Sequence, residues 1–108
     1  MISKQKTLNK IKKNVHQQRI EDLVQRLTDS PIPYDTIGAN IEYAHGEMDV
    51  VAVYNDNRLI FEIKTTDKYK TRRKAYNQLR RAEDYFKSDY NVYKFTYINN
   101  VRRIKWNL

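Results

Sequence analysis

The spacing of hydrophobic positions changes several times along the chain, and each change marks an element. Between Lys10 and Thr28, Ile20, Leu23, Val24 and Leu27 fall at i, i+3, i+4 and i+7, with Ile11 and Val15 extending the stripe upstream. That spacing predicts an amphipathic helix. Asp29-Ser30-Pro31-Ile32-Pro33 ends it, because two prolines in three residues cannot continue a helix. From Tyr34 to Tyr43 the period shortens to two, with Ile37, Ala39, Ile41 and Tyr43 alternating, and Gly46 breaks the run. Met48 to Tyr54 is β-branched and largely apolar, as in a strand covered on both faces.

Asn55-Asp56-Asn57 reads as a turn, and Arg58 to Thr65 completes a hairpin with the preceding strand. Helical spacing returns from Thr71 to Lys87, where Ala75, Leu79, Ala82 and Phe86 share a stripe. Two more strands, Asn91 to Ile98 and Val101 to Trp106, flank a tight Asn99-Asn100 turn. The order α-β-β-β-α-β-β predicts an α/β fold: a small mixed β-sheet flanked by helices.

Length and composition narrow the picture. The 108 residues suit a single domain, 1–108, and the absence of cysteine excludes thiolate metal sites, disulfides and thiol nucleophiles. No apolar run approaches the roughly 18 residues of a membrane span, so no membrane partner is expected. Met1-Ile2-Ser3-Lys4 lacks the apolar core of a signal peptide, which predicts a cytoplasmic location.

A net charge of +8 points to a polyanionic partner. The charge is unevenly spread. Residues 1–13 carry five lysines and no acid, a basic N-terminal arm, whereas residues 14–63 carry nine acids against three arginines. Residues 64–81 then carry eight Lys and Arg against Asp67 alone. A basic chain has gathered its carboxylates into one central segment.

Within that segment stand Gly46-Glu47-Met48-Asp49 and Glu62-Ile63-Lys64. Residues i and i+2 of a strand share a face, so Glu62 and Lys64 project together while Phe61 and Ile63 point the other way. The hairpin brings Asp49 back toward the far end of the second strand, and Glu21 would supply a third carboxylate if the first helix packs on that edge. Two carboxylates about 4 Å apart repel by about 4 kcal/mol at an effective dielectric near 20. Such a cluster survives by protonation, by the neighbouring Lys64, or by a bound cation. Oxygen donors without thiols favour Mg²⁺ or Mn²⁺ over Zn²⁺.

Asp49…Glu62-Ile63-Lys64, on a hairpin between two helices, resembles the PD-(D/E)xK nuclease superfamily. The words Gly46-Glu47-Met48-Asp49-Val50-Val51-Ala52 and Leu59-Ile60-Phe61-Glu62-Ile63-Lys64-Thr65 most resemble its small members, the archaeal Holliday junction resolvases and the bacterial group with the signature G-E-I-D…V-E-V-K-T. The similarity covers roughly residues 15 to 98, with Met48 where proline is usual before the aspartate. It implies a restriction endonuclease-like core and Mg²⁺- or Mn²⁺-dependent hydrolysis of DNA phosphodiester bonds, selective for branched or junction structure rather than sequence.

In that resemblance Asp49, Glu62 and the Ile63 carbonyl bind the metal, Glu21 completes its shell, Lys64 orients the attacking water, and Gln78 matches an accessory glutamine found in some branches. A symmetric homodimer is also implied, and the edge ending in Trp106 is where self-association is expected. Lys68, Lys70, Arg72, Arg73, Lys74, Arg80 and Arg81 would neutralise backbone phosphates. Among the other candidates, Glu47 is expected to face away from Asp49's neighbours, His45 precedes the motif as a turn residue within reach of a phosphate, His16 reads as a solvated helix residue, and Tyr69 and Tyr76 are placed for base stacking. Tyr43, Tyr54, Tyr93 and Tyr97 read as core or sheet-face residues. The alternative is a non-catalytic DNA- or RNA-binding protein, or a subunit of a repair or replication assembly on the same scaffold.

Overall fold

Three residues of the first stripe, Ile20, Leu23 and Leu27, are buried, and they fix how the first helix lies. They seat it on Val50, Ala52, Phe61, Ile63, Phe95 and Tyr97, which share one face of the sheet. Each such side chain contributes about 1.5–3 kcal/mol by leaving water. The computed structural model describes residues 4–65, 68–98 and 103–106, with side chains described over 15–65 and 68–97.

The elements are α1 (Lys4–Thr28), β1 (Thr36–Tyr43), β2 (Gly46–Tyr54), β3 (Asn57–Lys64), α2 (Tyr69–Phe86), β4 (Asn91–Ile98) and β5 (Arg103–Trp106). The fold is thus a small mixed α/β fold with two helices. The sheet runs β1-β2-β3-β4-β5, and every neighbouring pair is antiparallel except β3 and β4, which are parallel. Parallel neighbours need a crossover, and α2 supplies it while packing on β3 and β4. On this second face Met48, Val51 and Ile60 meet Leu79 and Ala82. β2 is consequently buried on both sides from Met48 to Ala52, as its apolar run predicts.

Several boundaries differ from the sequence reading. The helical backbone begins at Lys4 rather than Lys10, so the basic arm is continuous with α1, although its side chains lie outside the described residues. Similarly, α2 begins at Tyr69 rather than Thr71. Gly46 opens β2 instead of interrupting it. Its φ of +139° is rarely accessible to a residue with a Cβ, and it allows the tight turn in which Tyr43 pairs with Gly46. The Asn99-Asn100 turn, Val101 and Arg102 lie outside the described residues, as does the Trp106 side chain, and with it the expected self-association edge. No helix among the described residues is long and apolar enough to cross a membrane.

The expected one-sided alternation of β1 also fails. Ile37 packs on the α1 face, Tyr43 packs on the α2 face, and Ile41 is exposed. On β2 the same switch separates Met48, on the α2 face, from Val50, on the α1 face. Both switches occur at one rung. Asn40 has a left-handed φ of +52°, and it and Asp49 are missing from an otherwise continuous ladder between Ala39↔Val50 and Ile41↔Met48. Each strand carries one residue out of alternation there, so the register survives while the faces exchange.

Candidate functional site

The rung that breaks alternation in β2 is also where β2 and β3 part. Their ladder runs from Tyr54↔Asn57 to Val50↔Phe61 and then stops, so Asp49 and Glu62 face one another without a backbone pairing. The Asp49 carboxylate takes over, accepting the Ile63 N–H at Oδ2 over 2.8 Å. Ile63 therefore reaches the site through its amide. Glu62 and Lys64 share a face as expected, with Lys64 Nζ 3.7 Å from Glu62 Oε1, while Phe61 and Ile63 lie in the opposite core.

Both carboxyls are nearly dry, with Asp49 6% and Glu62 4% exposed. Burial, the Asp49 charge and a hydrogen bond between the two groups push Glu62 up to about 9, with Lys64 pulling the other way. Burial also acts to raise Asp49, but hydrogen bonds from His16 and the Ile63 amide outweigh it and hold that carboxyl below its ordinary value. The pair therefore resists carrying two negative charges, and Glu62 is the member whose ionisation is opposed. Two carboxylates this close cannot both ionise without a compensating cation.

His16 is the residue that the sequence reading misplaced. It is half-buried, with Nε2 3.4 Å from Asp49 Oδ2, and the hydrogen bond to Asp49 raises its pKa although burial opposes the shift. Glu21, the expected third carboxylate, is exposed and lies about 140° round α1 from His16, so it does not join the pair. The helix's rotation decides this, and it is fixed by the buried stripe. A tyrosine lock reinforces the stripe: the Tyr97 hydroxyl on β4 donates to Asp22 and accepts from Arg26 Nη1 at 3.2 Å. A signal was present in the sequence, because His16 stands four residues before Ile20, at the upstream end of that stripe.

Asp49 opens into a cleft of about 310 Å³ lined also by His16, Tyr43, His45, Gly46, Glu47, Gln78 and Arg81. Of the two weaker sequence candidates beside the motif, Glu47 and His45 both reach its wall. Gln78 comes from α2, and its Oε1 is buried with no hydrogen-bond partner. A buried amide oxygen without a donor costs about 1–3 kcal/mol, so this atom is placed to accept from whatever enters. Arg81 lies beside Tyr43 on the cleft wall, where its charge opposes the rise that burial gives the Tyr43 hydroxyl. Lys68, Lys70, Arg72, Arg73, Lys74 and Arg80 are exposed along α2, but they do not form one surface. Arg80 lies about 100° round the helix from Arg81 and faces away from the cleft.

Among the described residues no group of three or more His, Asp or Glu side chains could hold a metal ion. The donor set is therefore two carboxylates rather than the three expected. That number still suits Mg²⁺, which keeps several waters and is commonly bound by one or two carboxylates together with substrate phosphate. The upward shift of Glu62 and the unpartnered Gln78 oxygen both fit a cation or its waters. No protein-family model, curated protein or solved structure matches this chain.

Proposed function

We propose that the chain is a metal-dependent endonuclease of the PD-(D/E)xK type with a restriction endonuclease-like core, hydrolysing DNA phosphodiester bonds at the Asp49–Glu62–Lys64 centre. The observation that carries this reading is the pairing of two buried carboxyls, one from each parting strand, with an ammonium beside Glu62 and with Asp49 lining a cleft. A structural ion pair needs no second buried acid, and a second acid without a cation costs stability. Asp49 and Glu62 would hold the Mg²⁺ or Mn²⁺ ion, with the Ile63 carbonyl as the backbone oxygen that the family resemblance assigns. When bound, the ion supplies Lewis-acid polarisation of the phosphate and an acidified water.

The chain's own groups do the rest. Lys64, on the same face as Glu62, orients the attacking water and offsets charge building on the phosphoryl oxygens. His16 holds the Asp49 carboxylate from the α1 side and fixes which lone pairs face the cleft. Gln78 accepts a hydrogen bond from the water layer through its unpartnered oxygen. Arg81 and Lys74, seven residues apart on one side of α2, receive flanking phosphates.

The test is a cleavage panel of branched, duplex and single-stranded DNA with Mg²⁺ and with Mn²⁺, comparing wild type with Asp49→Asn and Lys64→Ala. Cleavage by wild type, and binding without cleavage by the variants, is the expected outcome. Binding without cleavage by wild type on every substrate would leave the alternative, a nucleic-acid-binding protein without catalysis.

A further inference from the structure

The charged residues of α2 divide into two ridges. Ala75, Leu79 and Ala82 are its buried stripe. Gln78 and Arg81 lie about 100° to one side of that stripe, in the cleft. Tyr69, Arg72, Arg73 and Tyr76 lie about 100° to the other side at i, i+3, i+4 and i+7, and together they line a shallow hollow of about 550 Å³. Glu83, seven residues beyond Tyr76, marks where this flank faces, since Lys94 on β4 binds it at 3.1 Å. The cleft and the hollow are thus separated by the body of the helix.

The far flank is strongly exposed. Tyr69 is 69% and Tyr76 45% exposed, and none of the residues from Tyr69 to Lys74 is buried. Two rings left in water, with guanidinium groups between them, match a strand whose bases are unpaired: the rings offer faces to stack on and the arginines meet phosphates. A paired duplex offers phosphates but hides its base faces, so rings on this flank add nothing to duplex binding.

We propose that the Tyr69–Arg72–Arg73–Tyr76 flank is a stacking platform for unpaired nucleotides. Resting on the nuclease reading above, it makes the substrate of the cleft a DNA with a single-stranded arm, the arm and the duplex lying on opposite sides of α2.

Fluorescence anisotropy tests it with the full chain in EDTA, so that cleavage plays no part. The probes are a single strand of about 12 nucleotides, a blunt duplex, and that duplex carrying the strand as an arm. Wild type is expected to bind the armed duplex more tightly than the blunt one. Tyr69→Ala with Tyr76→Ala is expected to weaken single-strand binding by about 30-fold or more and to leave blunt-duplex binding unchanged, while Tyr69→Phe with Tyr76→Phe retains wild-type affinity. Arg72→Ala and Arg73→Ala each lower the salt slope for the single strand by about 0.7. Equal loss on both probes, no loss on either, or no preference of wild type for the armed duplex overturns the platform. Absence of cleavage in the earlier panel, with these binding results intact, would remove the nuclease reading and leave the platform standing.

Discussion

Toward its turn the β2–β3 hairpin is regular. Five successive rungs, Tyr54↔Asn57 to Val50↔Phe61, pair without interruption, and Phe61 stacks on Phe95 with ring centroids 4.8 Å apart. One rung beyond, the same two strands carry two buried carboxyls, lose their backbone pairing and use a side chain to satisfy an amide. The turn end is consistent with its neighbours at every level, from β-branched composition to packing. The open end breaks alternation, pairing and charge balance together, and a protein keeps such a site only where something other than stability maintains it.

The largest effects should separate the two ends. Phe61→Ala removes a buried ring from the regular, paired stretch and is expected to destabilise the domain by about 3–5 kcal/mol in urea titrations. Its folded fraction should still cleave. Lys64→Ala at the open end is expected to do the reverse, lowering cleavage by about 10²–10³-fold while leaving the urea midpoint almost unchanged. Loss of stability without loss of specific activity at Lys64 would erase the distinction.

The next test uses the sign of the carboxyl shift. Glu62 is raised from its ordinary 4.5 to about 9, so its contribution to stability is complete below the ordinary value and is lost as pH rises through the raised one. His16, also raised, acts in the same direction above neutrality, whereas lowered Asp49 loses its contribution only in strong acid. Without divalent cations the thermal midpoint should therefore fall by roughly 5 °C or more between about pH 6 and pH 9. Glu62→Gln should flatten that fall, and Mg²⁺ should restore the wild-type midpoint most at the alkaline end. A flat profile for wild type would mean that the pair is not under strain.

The smallest expected effect concerns the tie that sets α1's rotation. Tyr97→Phe loses the hydrogen bonds to Asp22 and Arg26 and should cost about 1 kcal/mol. Its signature is in the His16 imidazole resonances, which should titrate nearer the ordinary value as the contact with Asp49 loosens.

Element order and the placement of Asp49, Glu62 and Lys64 were legible because they follow from short-range rules: period two in a strand, a tight turn, and an apolar stripe; Gln78 was named only through the family resemblance. Those rules work along the paired rungs and stop where the strands part. The exchange of faces at Asn40 and Asp49 depends on a left-handed residue opposite a polar one, and neither shows in a hydrophobic pattern. Glu21 and His16 traded roles for a related reason. Both are polar residues on the same helix, and only the direction in which Ile20 and Leu23 are buried decides which one meets the sheet. A metal shell favours an acid, but the residue one turn upstream of buried Ile20 is a histidine.

Counting protons tests the central claim most directly. Near pH 7, Mn²⁺ titrated calorimetrically into the protein in two buffers of different ionisation enthalpy should bind at one class of site and release about one proton per ion, because the cation replaces the proton on Glu62. Glu62→Gln should release none. Binding without proton release, or no binding that depends on Asp49 and Glu62, would contradict the account.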